Sequence, residues 1–248
     1  MVKTEEILIK KSRSKKTICD IFVYEPENIE ETALGSLYMT AELTANEDSW
    51  HLIGLISSLI KREYYSLPHR GPLDSLEASL KKANRALSEL TGQGNLAWLG
   101  KIHFICAALN KEEDLFLAQA GAAQAWLHRG DNLTSITKKI VPSPARPHPA
   151  KTFQSVISGK VGPGDKLALA TPALSELLSP PGLKQLFDLP GIAEIADNLN
   201  KTLREEKKPP AIGILLLEIT PEENIEIAKA DPKQQYITPP INLREILK

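Results

Sequence analysis

Toward its end the chain reads IGILLLEI, from Ile212 to Ile219, with almost no polar residue to break the run. A strand with one wet face shows a polar residue at every second position, so a strand this apolar has to be covered on both faces. The chain must therefore supply one layer above this strand and another below it. Further strands are expected at Ile7–Lys10, Thr17–Tyr24 and Leu34–Leu43, runs of apolar and β-compatible residues. Trp98–Leu109, Asp114–Ala120, Gln124–Arg129 and Leu133–Ile136 follow at close spacing, with turn residues at Asn110–Glu113, Gly121 and Arg129–Asn132, which predicts an antiparallel meander. Phe153–Val161 and Lys166–Ala170 resume the strand pattern.

Helical periodicity separates these strand groups. Trp50, Ile53, Ile56 and Ile60 recur three and four apart behind a cap at Asn46 or Asp48. Leu76, Leu80, Ala83, Leu87 and Leu90 form a second stripe, capped by Asp74 or Ser75 and stopped at Gly92–Gly94. More helices are expected at Ala173–Leu178, around Leu183–Phe187, and at Ile192–Glu206, whereas the prolines of Val141–Ala150 predict an extended surface loop. Two strand groups with helix groups between them imply an α+β fold, a four-layer α/β/β/α sandwich of two antiparallel sheets flanked by helices. Residues 1–219 are read as one domain. Residues 220–248, with Pro221, Pro232, Pro239 and Pro240, are read as an extended tail or linker.

Composition excludes several classes of function. At 248 residues, 42% hydrophobic and 25% charged, the chain has the balance of a globular domain. A net charge of −1 gives no general pull toward nucleic acid or an acidic membrane, and Lys10–Lys16 holds the basic run, so neither is expected as a partner. No apolar run approaches the roughly 20 residues of a membrane helix. Cys19 and Cys106 sit in apolar runs without CxxC spacing, which predicts buried free thiols and fits a cytoplasmic location. The histidines His51, His69, His103, His128 and His148 show neither an i,i+4 pair nor HExxH. Ser36, Ser57 and Ser58 lack a GxSxG setting, and the glycine-rich turns lack the Lys-Ser/Thr of a phosphate loop.

Two segments carry a resemblance. DLFLAQAGAAQAWLHRGDNLTSIT, Asp114–Thr137, is similar to the strand, Gly-Asp-Ser and hairpin segment of PPM-type metal-dependent Ser/Thr phosphatases. GDKLALATPALSELLS, Gly164–Ser179, resembles that family's Gly-Asp strand leading through Ser-Asp-Gly into a helix, and the order of elements agrees from Thr17 to Ile219. The resemblance implies the same sandwich. In the family, two manganese or magnesium ions at one edge activate a bridging water that attacks a phosphoryl group.

Carried over residue by residue, the family's early acidic motif falls on Ile18, Cys19, Asp20, Ile21 and Phe22, and its Asp-Gly turn on Thr40, Ala41, Glu42 and Leu43. Ala122 and Ala123 stand where the family has Asp-Ser, Pro172 and Ala173 where it has Asp-Gly, and Pro210 and Ala211 where it has Asp-Asn. The resemblance thus leaves Asp20 and Glu42 as a residual metal pair, with no catalytic residue, no expected cofactor and at most weak manganese or magnesium binding. A catalytically inactive PPM-type phosphatase-like domain follows, acting as a regulatory or protein-interaction module with a protein partner. The alternative is an active metal-dependent phosphatase whose ligand set is completed by Asp165 or Asp131.

Overall fold

The computed structural model describes residues 1–10, 16–46, 49–139 and 147–221. The expected tail, most of the proline-rich loop and the candidate cap Asp48 lie outside them. In chain order the elements are β1 (Val2–Ile9), β2 (Thr17–Tyr24), α1 (Ile29–Thr32), β3 (Ser36–Thr44), α2 (His51–Tyr64), α3 (Pro72–Gly92), β4 (Ile102–Leu109), β5 (Asp114–Ala120), β6 (Gln124–Arg129) and β7 (Asn132–Ser135). After them come β8 (Val156–Lys160), β9 (Lys166–Ala170), α4 (Ala173–Leu177), α5 (Pro180–Phe187), α6 (Ile192–Glu205) and β10 (Ile212–Ile219).

The strands form two five-stranded sheets, ordered β1-β10-β9-β6-β7 and β2-β3-β4-β5-β8, with every pairing antiparallel. The layers follow from side-chain alternation. Leu215 and Leu217 of β10 face Ile105, Ala107 and Leu117 of the other sheet in a core between the sheets. Ile212, Ile214 and Leu216 point the other way, onto α4–α6. The uninterrupted apolar run of β10 is therefore covered on both sides, as its sequence requires. On the far side α2 and α3 lay Ile53, Ile56, Ile60, Leu76, Leu80, Ala83 and Leu87 on β3 and β4, which is the stripe their spacing predicts.

Several boundaries differ from expectation, each for a physical reason. β1 is longer than Ile7–Lys10 because it pairs with β10 from Val2 to Ile9, and as an edge strand it tolerates the polar TEE. α3 starts on Gly71 and Pro72 rather than on Asp74 or Ser75, proline at the first turn forgoing an N–H that has no helical partner anyway. Trp98 lies before β4, its indole N–H donating to Asn95 O at 3.0 Å. Phe153 precedes β8: Asn84 clamps its backbone with bonds of 2.7 and 3.0 Å, and its ring packs edge-on against Phe104.

The meander is the larger correction. β4 and β5 belong to one sheet, while β6 and β7 belong to the other. The chain crosses between sheets through Gly121, whose φ of +65° suits glycine and where a Cβ would lie 2.3 Å from Ile102 O. A short connection between strands reads the same whether it closes a hairpin or changes sheet.

Candidate functional site

The motif segments meet at one end of the sandwich. There the chain enters β2, β4, β6 and β10 and leaves β3, β5 and β9. Cys19, Glu42 and His103 lie side by side on β2, β3 and β4, because the register sets Cys19 opposite Glu42 and Glu42 opposite His103. All three side chains share the face turned toward the other sheet, since paired residues of antiparallel strands project the same way.

Cys19 is fully buried, with its Sγ 3.9 Å from Glu42 Oε2, and Glu42 is 9% exposed. Burial pushes the Cys19 thiol well above its ordinary range, Glu42 adds to the shift, and the Thr171 hydroxyl works against it. Burial holds the His103 imidazole below its ordinary pKa, opposed by the charge of Glu176. His103 Nδ1 accepts the Ala122 N–H at 3.0 Å, which leaves the proton of the neutral ring on Nε2.

The other sheet supplies the facing wall. Thr171, which is buried, exchanges bonds with Gly213: Thr171 N donates to Gly213 O at 3.0 Å, and Gly213 N donates to Thr171 Oγ1 at 3.2 Å. Gly213 marks a close approach of the sheets, because a Cβ there would sit 3.1 Å from Thr40 Cγ2. Thr40 Oγ1 donates across the gap to Leu169 O at 3.3 Å. Ser175 of α4 donates to Gln124 at the start of β6, tying the two motif segments together. Ala122 is exposed, and Pro172 caps the start of α4 without a side-chain bond. Pro210, half-buried, leads into β10 at this same end.

The structure does not join Asp20 to Glu42. Asp20 pairs with Ala41, one step out of register with Glu42, and so projects from the opposite face, among Ile18 and Phe22 on the α2–α3 side. Its carboxylate is held by Lys10 at 3.0 Å and by the Ile21 N–H at 3.2 Å. Leu43 likewise faces the helical layer and is buried there.

Asp165 and Asp131 are further away still. Asp165 precedes β9, at the end of the sandwich opposite Glu42, and takes a bidentate pair from Arg129: Nε to Oδ1 at 2.9 Å and Nη2 to Oδ2 at 2.6 Å. Asp131 is exposed in the β6–β7 turn at that same far end. Neither can complete a ligand set with Glu42, which corrects the alternative drawn from the sequence. Among the described residues no group of three or more His, Cys, Asp and Glu side chains is arranged to hold a metal ion.

The residues that sequence reasoning missed are His103 and Gly213. The polar interruption in IHFICAAL at His103 was the available signal, since it breaks an otherwise apolar strand. Both cysteines are free and buried, as their apolar settings predict, and burial pushes Cys106 up to about 12. No helix among the described residues is long and apolar enough to cross a membrane.

Two five-stranded antiparallel sheets between helical layers, with the motif loops gathered at one edge, constitute the PPM-type (PP2C) phosphatase fold. The Mycobacterium tuberculosis serine/threonine phosphatase PstP/Ppp is 16% identical, with a TM-score of 0.61 over 89% of this chain and 99% of that one. The catalytic domain of PstP in complex with 2 manganese ions is 17% identical, with a TM-score of 0.60 over 89% and 98%. PppA, a key regulatory component of T6SS in Pseudomonas aeruginosa, is 14% identical, with a TM-score of 0.61 over 88% and 97%. No protein-family model matches the sequence, and no curated protein does. At such identities the likeness is one of fold.

Proposed function

We propose that this chain is a catalytically inactive PPM phosphatase-like domain that serves as a regulatory, protein-binding module. The observation that carries this reading is the side-chain chemistry at the edge where the motif loops converge. A hard divalent cation takes six or more oxygen ligands, and a two-metal clamp needs several carboxylates pointing at one spot. Here Pro172 and Pro210 bring no side-chain oxygen, Ala122 brings a methyl group, and Asp20 faces away. The Cys19 thiol is a soft sulfur donor, poorly matched to a hard manganese or magnesium ion. Glu42, His103 and Thr171 remain, with one carboxylate among them, a donor set that does not fit a two-manganese centre of the kind in the PstP complex.

A fold kept intact around an altered site still offers its loops and sheet edges as a binding surface, which supports a protein partner. The test is an aryl phosphate assay with manganese and with magnesium, beside a calorimetric manganese titration. The expected outcome is hydrolysis no faster than in buffer and no saturable binding in the micromolar range. Metal-dependent turnover that disappears in Glu42→Gln would overturn the proposal.

A further inference from the structure

Between Tyr24 and Ala33, around α1, the chain reads EPENIEET, four acids with no cation among them. Two of these carboxylates are engaged: Glu25 accepts the Tyr38 hydroxyl at 3.0 Å, and Glu31 accepts the Tyr24 hydroxyl at 2.7 Å. Glu27 and Glu30 are exposed on either side of Ile29, which at 87% is the most exposed large hydrophobic residue among those described. A lone exposed apolar side chain carries no meaning by itself. What gives this one a use is that the same chain also carries its complement.

That complement lies on the solvent side of α2 and α3, where a groove of about 390 Å³ is lined by Glu63, Ala78, Lys81, Lys82 and Arg85. The four residues from α3 follow one another at three- and four-residue steps, so they share one face of the helix. Glu63 of α2, 18% exposed, holds Lys82 at 2.7 Å and Arg70 at 3.5 Å, which fixes both cations beside the groove. Lys81 is 78% exposed, 3.3 Å from Glu77, and Arg85 is exposed as well. Arg70, Lys81, Lys82 and Arg85 outnumber Glu63 and Glu77, so the groove is positive, and Ala78 with the aliphatic stems of Lys82 and Arg85 gives it an apolar floor. The walls contain no residue of α1 from the same chain.

We propose that the α2–α3 groove of one copy takes α1 of a second copy of this chain, in a head-to-tail contact. Glu27 and Glu30 pair with Lys81 and Arg85, and Ile29 lies on the apolar floor. The argument for a second copy is charge complementarity: the acidic and basic patches sit on one chain whose net charge is −1, so two copies meet without general repulsion. Because the two patches differ, the contact is heterologous, and each joined pair still offers one open groove and one open α1. Ion pairs at an exposed rim are individually weak, which makes the association concentration-dependent and salt-sensitive. The inference does not depend on whether the motif edge binds metal.

Sedimentation velocity on the full chain tests it, comparing the parent with two double variants, Glu27→Lys with Glu30→Lys and Lys81→Glu with Arg85→Glu. All four positions are exposed, so the fold should survive, and circular dichroism checks that it does. The parent should associate as its concentration rises at low salt and return to monomer at about 0.5 M salt, where the Debye length is about 4 Å. Each double variant should associate at least about tenfold more weakly, and the chain carrying all four reversals should regain association, because the opposite charges then meet with their signs exchanged. A parent that stays monomeric up to about 1 mM, where even a millimolar contact is populated, would overturn the proposal. So would association indifferent to the substitutions, or a fourfold variant no better than either double variant.

Discussion

Replacing Asp165 by Asn separates a structural carboxylate from a metal ligand. The Asp165 side chain is 6% exposed and accepts three N–H groups: Arg129 Nε at 2.9 Å, Arg129 Nη2 at 2.6 Å and Gly162 N at 2.8 Å. Asn keeps the shape but turns an NH₂ toward one of these donors, so one bond is lost outright and the others lose their charge assistance. Hydrogen bonds to charged groups contribute about 1.5–3 kcal/mol each, and breaking a fully buried pair costs about 3–5 kcal/mol. The Arg129 side chain is 56% exposed and stays hydrated when its partner is gone, which places the loss at about 2–3 kcal/mol. For a domain of this size that is a fall in Tm of roughly 4–12 °C. Urea and thermal unfolding followed by circular dichroism measure it, with Asp131→Asn in the neighbouring turn as a control expected within about 0.5 kcal/mol of the parent. The reasoning fails if Asp165→Asn is as stable as the parent, or if the difference appears only with manganese present, because the carboxylate would then serve an ion and not Arg129.

Gly35→Ala should be among the most damaging single-methyl changes. The residue has φ +77°, and the new Cβ would sit 2.1 Å from Leu109 O, so a loss above about 3 kcal/mol is expected in urea unfolding. A loss under about 1 kcal/mol would show that the β3–β4 end gives way easily. His103 supplies a pH test: burial lowers its folded pKa, so between that value and the unfolded value of about 6.5 the unfolded chain binds more protons. Stability should therefore fall as pH drops from about 6.5 toward 5, and His103→Gln, which can still accept the Ala122 N–H, should flatten that part of the profile. An unchanged slope in the variant would assign the effect to another group.

Much of this architecture is legible from local sequence. The apolar run of β10 announces a strand between two layers, and the stripes of α2 and α3 point to the faces they bury. Those patterns are properties of a segment's own backbone, with a period of two in a strand and 3.6 in a helix, and they hold whatever the neighbours are. The two motif segments could likewise be placed at loops, and Ser175 and Gln124 do meet there.

Which face and which end a residue occupies is settled only by pairing between distant segments. Asp20 and Glu42 both look like acids on neighbouring strands, yet a register offset of one residue turns them to opposite sides of the sheet. Asp165 lies within a motif segment in sequence, but β9 carries the chain the length of the sandwich before it reaches Thr171. Cys19, Glu42 and His103 are far apart in the chain and stand in one row because β2, β3 and β4 pair in that register. The elements and their buried faces are readable one segment at a time, because hydrophobic periodicity is written residue by residue. The tertiary structure alone decided which polar groups share the edge, because strand register and the crossing at Gly121 arise from contacts that no local pattern encodes.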